Sequence, residues 1–185
     1  KGLVSTDVTL AIIPTGSGNG LARCLDIPLS VEQAIKAINQ MKTKRIDCIK
    51  LNNTVYASIA GIGFDALIAR EFAKTKTRGF QPYLKLVLQN YPQYKPQNYT
   101  LIIDDIEINT QALFVSFSNS NQFGFDVEIA NNASLCDGLI DVVIVQKPPL
   151  PLLFWTAQLL FWRKFDNSIY VNAYQAKKVT VKSNN

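Results

Sequence analysis

Residues 8–14, Val-Thr-Leu-Ala-Ile-Ile-Pro, form a continuous apolar run that passes straight into Thr15-Gly16-Ser17-Gly18-Asn19-Gly20 and then Leu21-Ala22-Arg23. The run predicts a short strand buried on both faces, and Leu21-Ala22-Arg23 predicts the start of a helix. A glycine-rich turn between such elements exposes backbone N–H groups at the positive end of the helix. That makes an anion site, and phosphate is its commonest occupant. Ser17 adds a hydroxyl donor and Asn19 an amide donor. The loop fits neither standard phosphate pattern. G-x-x-x-x-G-K-[ST] needs a lysine that does not follow, and G-x-G-x-x-G needs glycine at position 21, which is Leu. On the residue pattern alone, a plain tight turn stays open beside the phosphate reading.

The texture changes after a second helix. Ser30 with Gln33 three residues on reads as a capping box, and Val31, Ala34, Ile35 and Ile38 share one helical face. Residues 46–51 and 55–61, either side of Asn52-Asn53, predict a hairpin. Residues 65–74 and 82–91 predict helices, followed by a proline-punctuated connection to Pro96. Residues 99–103 and 106–108 flank Asp104-Asp105 as a tight hairpin. Further strands are expected over 112–118, 139–145, 168–171 and 179–181. The boundary between the two textures falls near residues 43–46.

The 185-residue chain has no histidine, which excludes every imidazole-based mechanism and the common zinc sites. Cys24, Cys48 and Cys136 lack C-x-x-C spacing and read as small buried hydrophobes in a reducing compartment. The net charge of +5 is spread thinly, with no aromatic–basic alternation, so nucleic acid is not an expected partner. Residues 150–162, LPLLFWTAQLLFW, are the longest nearly unbroken apolar stretch. A membrane span needs roughly 20 helical residues, so this stretch is too short. A core helix closed by Arg163-Lys164 is the first expectation. A greasy surface meeting lipid is the second, because Phe154, Trp155, Phe161 and Trp162 make a heavy aromatic load.

Residues 12–23, IIPTGSGNGLAR, resemble the nucleotide-binding loop of the diacylglycerol kinase and sphingosine kinase family of lipid kinases. Further pieces match in family order. Leu25-Asp26-Ile27-Pro28 is similar to the segment after the loop, and residues 57–66, ASIAGIGFDA, resemble the Gly-Phe-Asp-Ala signature of the second domain. Asn119 falls where the family ends a strand with Asn, and residues 133–142, ASLCDGLIDV, resemble its Asp-Gly-Leu-Leu-Asp-Val motif. There are departures: Gly20 stands where many bacterial members have Asp, and Phe123-Gly124-Phe125-Asp126 replaces a Gly-Gly-rich stretch. The small residue at 20 favours a sphingoid or related acceptor.

The resemblance implies an α+β fold, the C-terminal part of a two-domain lipid kinase. Residues 1–45 would be the end of an α/β nucleotide-binding domain. Residues 46–185 would be a mostly antiparallel β-sandwich, lipid-side domain with inserted helices. It implies ATP and Mg²⁺ as cofactors and transfer of the γ-phosphate to a lipid hydroxyl of diacylglycerol, a sphingoid base or similar, in phospholipid and lipid metabolism. Gly16, Ser17, Gly18 and Asn19 would hold ATP. Asp137, with the carbonyls of Ser134 and Leu139, would form a structural or regulatory metal site. Asp65 reads as a helix N-cap. The family's Gly-Gly-Asp-Gly-Thr motif and its Asp-Gly-Glu carboxylate are not found in these residues, so no catalytic residue is assigned, and the 185 residues alone are expected to be inactive. ATP-dependent lipid phosphorylation by this fragment would refute that. The whole protein is expected to be cytoplasmic and peripherally membrane-associated, with a lipid substrate. Two other readings stay open: a non-catalytic lipid-binding or regulatory module, and a kinase of a soluble acceptor such as NAD.

Overall fold

A computed structural model describes residues 2–183. Two antiparallel sheets form the body. Strands β3 (Ile59–Gly63), β6 (Phe114–Ser118), β9 (Ile140–Val145) and β10 (Val171–Ala176) make a four-stranded sheet in the order β10-β9-β6-β3. Strands β4 (Gln97–Ile103), β5 (Ile106–Ala112) and β11 (Val179–Ser183) make a three-stranded sheet in the order β11-β4-β5. Period-two alternation explains how they stack. Val142 and Ile144 of β9, with Val115 and Phe117 of β6, face Tyr99, Leu101 and Ile103 of β4 in one buried cluster. Val143 and Val145 point the other way, to Ile129, Ala130, Phe165 and Val171. Strand β9 is thus buried on both faces, which is why its sequence is an almost unbroken apolar run.

Three helices cover the outer face of the four-stranded sheet: α3 (Phe64–Lys74), α4 (Phe80–Asn90) and α5 (Leu150–Phe161). Phe64, Ile68, Tyr91 and Leu113 make the third core cluster beneath α3 and α4. Helix α4 starts two residues earlier than expected. Pro82 sits in its first turn, where the missing N–H removes no helical bond. The hairpin around Asn52-Asn53 is present as β1 (Ile49–Leu51) and β2 (Thr54–Tyr56). The expected second strand over 55–61 divides, however: β2 ends at Tyr56 and β3 joins the large sheet. Strand β10 begins where a strand over 168–171 was expected to end. Its polar stretch Asn172–Gln175 hides a full antiparallel pairing with β9.

The N-terminal portion departs most from expectation. Residues 8–14 form no strand, and Val8, Leu10 and Ile13 are exposed. No described strand pairs with them, and a strand without neighbours leaves its backbone groups to water. Helix α1 (Gly20–Cys24) is one short turn, and α2 (Val31–Asn39) buries only Ala34 of its apolar face. The Ser30 side chain makes no capping bond. The cysteines also correct the sequence reading: Cys48 and Cys136 are exposed and Cys24 is half-buried. The Cys136 thiol donates to the Arg45 carbonyl at 3.1 Å, which places it at a loop junction outside the core.

Candidate functional site

The glycine-rich loop is built by Asn19. This residue adopts the left-handed conformation (φ 52°) immediately before α1, and its side chain folds back across the loop. Its Oδ1 accepts from the Gly16 N–H at 3.0 Å, and its Nδ2 donates to the Gly16 carbonyl at 2.7 Å. Asn is among the few non-glycine residues that accept this backbone at low cost. The Asn19 amide is therefore spent on shaping the loop. Among the described residues, the backbone N–H groups of Ser17 and Gly18 have no hydrogen-bond partner, and the Ser17 side chain is exposed.

The loop does not stand alone. Strand β7 (Gln122–Gly124), paired with β8 (Val127–Glu128), carries the Phe-Gly-Phe-Asp stretch up against it. Asn19 bridges to Gly124 in β fashion, and the Phe125 N–H donates to the Gly18 carbonyl at 3.3 Å. The approach is backbone to backbone. A Cβ at Gly20 would lie 2.7 Å from the Phe123 carbonyl oxygen, and one at Gly124 would lie 2.9 Å from Gly18 C. This explains locally why Gly20 carries no side chain. Arg23 clamps the junction: its Nη1 donates to both Asp126 carboxylate oxygens at 2.8 and 2.7 Å, and its Nε to the Gly18 carbonyl. The sequence reading noted Phe123–Asp126 only as a departure and missed its partnership with the loop. The one signal was a glycine between two aromatics, which marks close backbone approach in a strand.

Beyond the loop opens a cavity of about 1020 Å³. Ser17 and Gly18 form part of its wall, with Phe123 and Phe125 beside them. The remainder is apolar: Phe64, Ile68 and Phe72 from α3, Tyr83 and Val87 from α4, Leu153 and Leu160 from α5. Helices α4 and α5 both line it. Helix α5 corrects the core-helix expectation, because its other face is bare. Phe154, Trp155, Phe161 and Trp162 are 65%, 62%, 49% and 58% exposed, so this stretch presents an aromatic surface to its surroundings. Arg163 beside it pairs with the buried Glu128 at 3.1 Å.

The proposed metal residues lie elsewhere, in the loop before β9, and none of them lines the cavity. Ser134 Oγ accepts from the Cys136 N–H at 3.3 Å, and Asp137 Oδ1 accepts from the Leu139 N–H at 3.0 Å. A second carboxylate, Asp47, accepts from the Gly138 N–H at 2.8 Å and was not foreseen. Mg²⁺ is commonly held by one or two carboxylates with carbonyls and water, so the donor chemistry here suits it. Among the described residues, however, no group of three or more His, Cys, Asp or Glu side chains is placed to hold a metal. Asn119 is wholly buried at the end of β6. Its Nδ2 donates to the carbonyls of Asp47 and Ala57, both at 2.9 Å, tying the Asp47 segment to the sheet.

Two family models match. Residues 58–185 match the YegS C-terminal NAD kinase beta sandwich-like domain, and residues 1–51 match the diacylglycerol kinase catalytic domain. A diacylglycerol kinase of Mycobacterium tuberculosis (strain CDC 1551 / Oshkosh) is 28% identical over 152 residues, covering 78% of this chain and 49% of the relative. A diacylglycerol kinase of Staphylococcus saprophyticus is 26% identical over 178 residues, covering 95% of this chain and 58% of the relative. A crystal structure of a diacylglycerol kinase from Bacillus anthracis str. Sterne superposes with a TM-score of 0.70 at 19% identity, over 98% of this chain and 58% of that one; it shows the fold alone. The chain thus spans about half the length of the curated relatives it matches. With a YegS-type β-sandwich domain over more than half its residues and a match to the diacylglycerol kinase catalytic domain ahead of it, the chain belongs to the diacylglycerol kinase family of lipid kinases.

Proposed function

We propose that the protein containing this chain transfers the γ-phosphate of ATP to a hydroxyl of a lipid acceptor, a diacylglycerol, a sphingoid base or a similar amphiphile. One observation carries the proposal: Ser17 and Gly18 of the glycine-rich loop share a single cavity with apolar walls from three helices. A phosphate donor and a hydrocarbon acceptor need such adjoining, unlike surfaces. Residues 1–45 belong in this reading to the nucleotide-binding part and residues 46–185 to the lipid-side part. Phosphoryl transfer requires positioned phosphates, charge neutralisation and an aligned acceptor, with little covalent help from the protein. The Ser17 hydroxyl and the N–H groups of Ser17 and Gly18 bind phosphate oxygens. Gly16 and Asn19 keep the loop in shape for them. The apolar walls of α3, α4 and α5 hold the acyl or alkyl chain and exclude water from the reacting end. Mg²⁺ supplies charge neutralisation when bound; Asp137, with the Ser134 and Leu139 carbonyls and Asp47 nearby, would hold a structural ion. Among the described residues, no helix is long and apolar enough to cross a membrane. The bare aromatic face of α5 is proposed to rest on the membrane surface that supplies the acceptor.

The test is ATP-γ-phosphate transfer by the full-length parent protein in mixed micelles, with diacylglycerol, sphingosine, ceramide and polyprenol as acceptors. Ser17→Ala and Asp137→Ala are run alongside. Transfer to one lipid, with a raised ATP KM in Ser17→Ala, supports the reading. ATP binding without transfer to any lipid overturns it in favour of a soluble acceptor. Lipid binding without ATP binding overturns it in favour of a non-catalytic lipid-binding module.

A further inference from the structure

The cavity contains a carboxyl that nothing in the fold employs. Asp65 lies in the first turn of α3, one residue past Phe64, and was expected to cap that helix. It does not: Gly63 occupies the cap position and no side-chain cap bond forms. Asp65 instead lines the cavity. Room for it is kept by Gly61 of β3, where a Cβ would collide with the Asp65 carboxylate.

Three of its polar neighbours are tied to the fold. Of the other polar side chains on these walls, Arg78 donates to the Phe72 carbonyl at 2.9 Å and lies over the Phe72 ring. The Tyr91 hydroxyl donates to the Pro148 carbonyl, and Thr156 Oγ1 donates to the Leu152 carbonyl at 3.0 Å. Asp65 has no hydrogen bond or ion pair among the described residues, although burial pushes its carboxyl up to about 6. The Tyr83 hydroxyl lines the same cavity and is held above its usual range by burial and then by the Asp65 charge. Asp65 is half-buried, and a carboxyl drawn partly out of water with no bonding partner forfeits hydration without compensation. Here the missing partner faces open space of lipid size.

We propose that Asp65 is the head-group anchor of this cavity, accepting hydrogen bonds from a hydroxyl or ammonium of an amphiphile whose chain lies along the apolar walls. The proposal rests on the reading that the cavity takes the acceptor lipid, and it adds the head-group chemistry: the acceptor carries a hydrogen-bond donor for a carboxylate, in a site that rewards an amine or alcohol over an ether of equal length.

Binding without ATP tests it on the full-length protein at pH 7, with dodecylamine, dodecanol and dodecyl methyl ether as probes. Wild type should bind the amine and the alcohol more tightly than the ether. Asp65→Asn should lose on the order of tenfold in amine affinity, as expected for a charge-assisted bond, with less change for the alcohol and none for the ether. Asp65→Leu should bind all three alike. Because it replaces a half-buried carboxyl with no partner, Asp65→Leu should also melt no lower than wild type; if it fails to fold, Asp65→Asn carries the comparison. Equal probe ratios in wild type and Asp65→Asn overturn the proposal. Loss of phosphate transfer to every lipid, with probe discrimination intact, overturns the kinase reading and leaves this one standing.

Discussion

Two apolar runs of similar appearance have opposite fates in this molecule. Residues 8–14 (VTLAIIP) and strand β9 (IDVVIV) are both short apolar runs, and both were expected to be strands. Strand β9 lies between β6 and β10, and Val142 and Val143, on its opposite faces, are wholly buried. The other run pairs with nothing described, and Leu10 is 67% exposed. The difference teaches that a strand is a property of a neighbourhood. Apolar pattern states what a segment can bury, and partners on both edges decide whether it does.

The largest effect should come from cutting the neighbourhood of β9. Leu101→Ala, in the facing strand β4 and fully buried, should cost about 2–5 kcal/mol in denaturant unfolding of this chain. Leu10→Ala should stay within about 0.5 kcal/mol, as exposed positions do. Equal losses would mean that residues 8–14 are buried after all and would remove the contrast.

A second experiment asks whether the loop is joined to the sandwich as tightly as its backbone contacts indicate. Gly20→Ala drives a methyl against the Phe123 carbonyl and should cost about 1–3 kcal/mol, with a raised ATP KM in the full-length protein. Gly18→Ala meets nothing nearer than the Phe125 ring at 3.5 Å and should be far milder. Reversal of that order would show that the loop and β7 do not touch as described.

A pH series sharpens the contrast further, because the sandwich side holds carboxyls raised by burial, among them Asp65, Asp141 and Asp166. Burial pushes Asp65 up to about 6. Burial, aided by the charges of Asp137 and Asp166 and opposed by the Gln175 hydrogen bond, does the same to Asp141. Both bind protons more tightly folded than unfolded. Stability should therefore fall as pH rises from the ordinary carboxylate range to about 6 and then level off. Asp141→Asn should flatten that slope in thermal melts between pH 4 and pH 7. An unchanged slope would remove Asp141 as its source.

The smallest effect should be at the Arg23–Asp126 clamp, whose side chains are 24% and 64% exposed. A double-mutant cycle with Arg23→Gln and Asp126→Asn should give a coupling of about 0.2–1 kcal/mol. A value near zero would leave the backbone contacts as the sole junction.

The sandwich was largely legible because its strands alternate and its turns carry Asn-Asn and Asp-Asp pairs. Strand β10 escaped because Asn172, Tyr174 and Gln175 look like loop residues, and only their register against β9 makes them a strand. The loop at 16–19 was legible as a motif, yet the spending of Asn19 on Gly16 was not, since an amide suits either a ligand or its own backbone. Asp65 was misread for the same reason. A carboxylate at a helix start is usually a cap, and sequence does not say which way it turns. Helix α5 was read first as core because composition records how greasy a helix is and not how much of it is covered.

The junction of Gly20 with β7 and of Gly124 with the loop has a consequence for how this protein can vary. Most contacts in a fold can be retuned in small steps, one side chain yielding as another grows. Here main chain lies on main chain, and the smallest step available, a single methyl, is already a wedge. Change at these two positions has to arrive together with a displaced backbone, so the seam between loop and sandwich behaves as a fixed joint around which everything softer is free to drift.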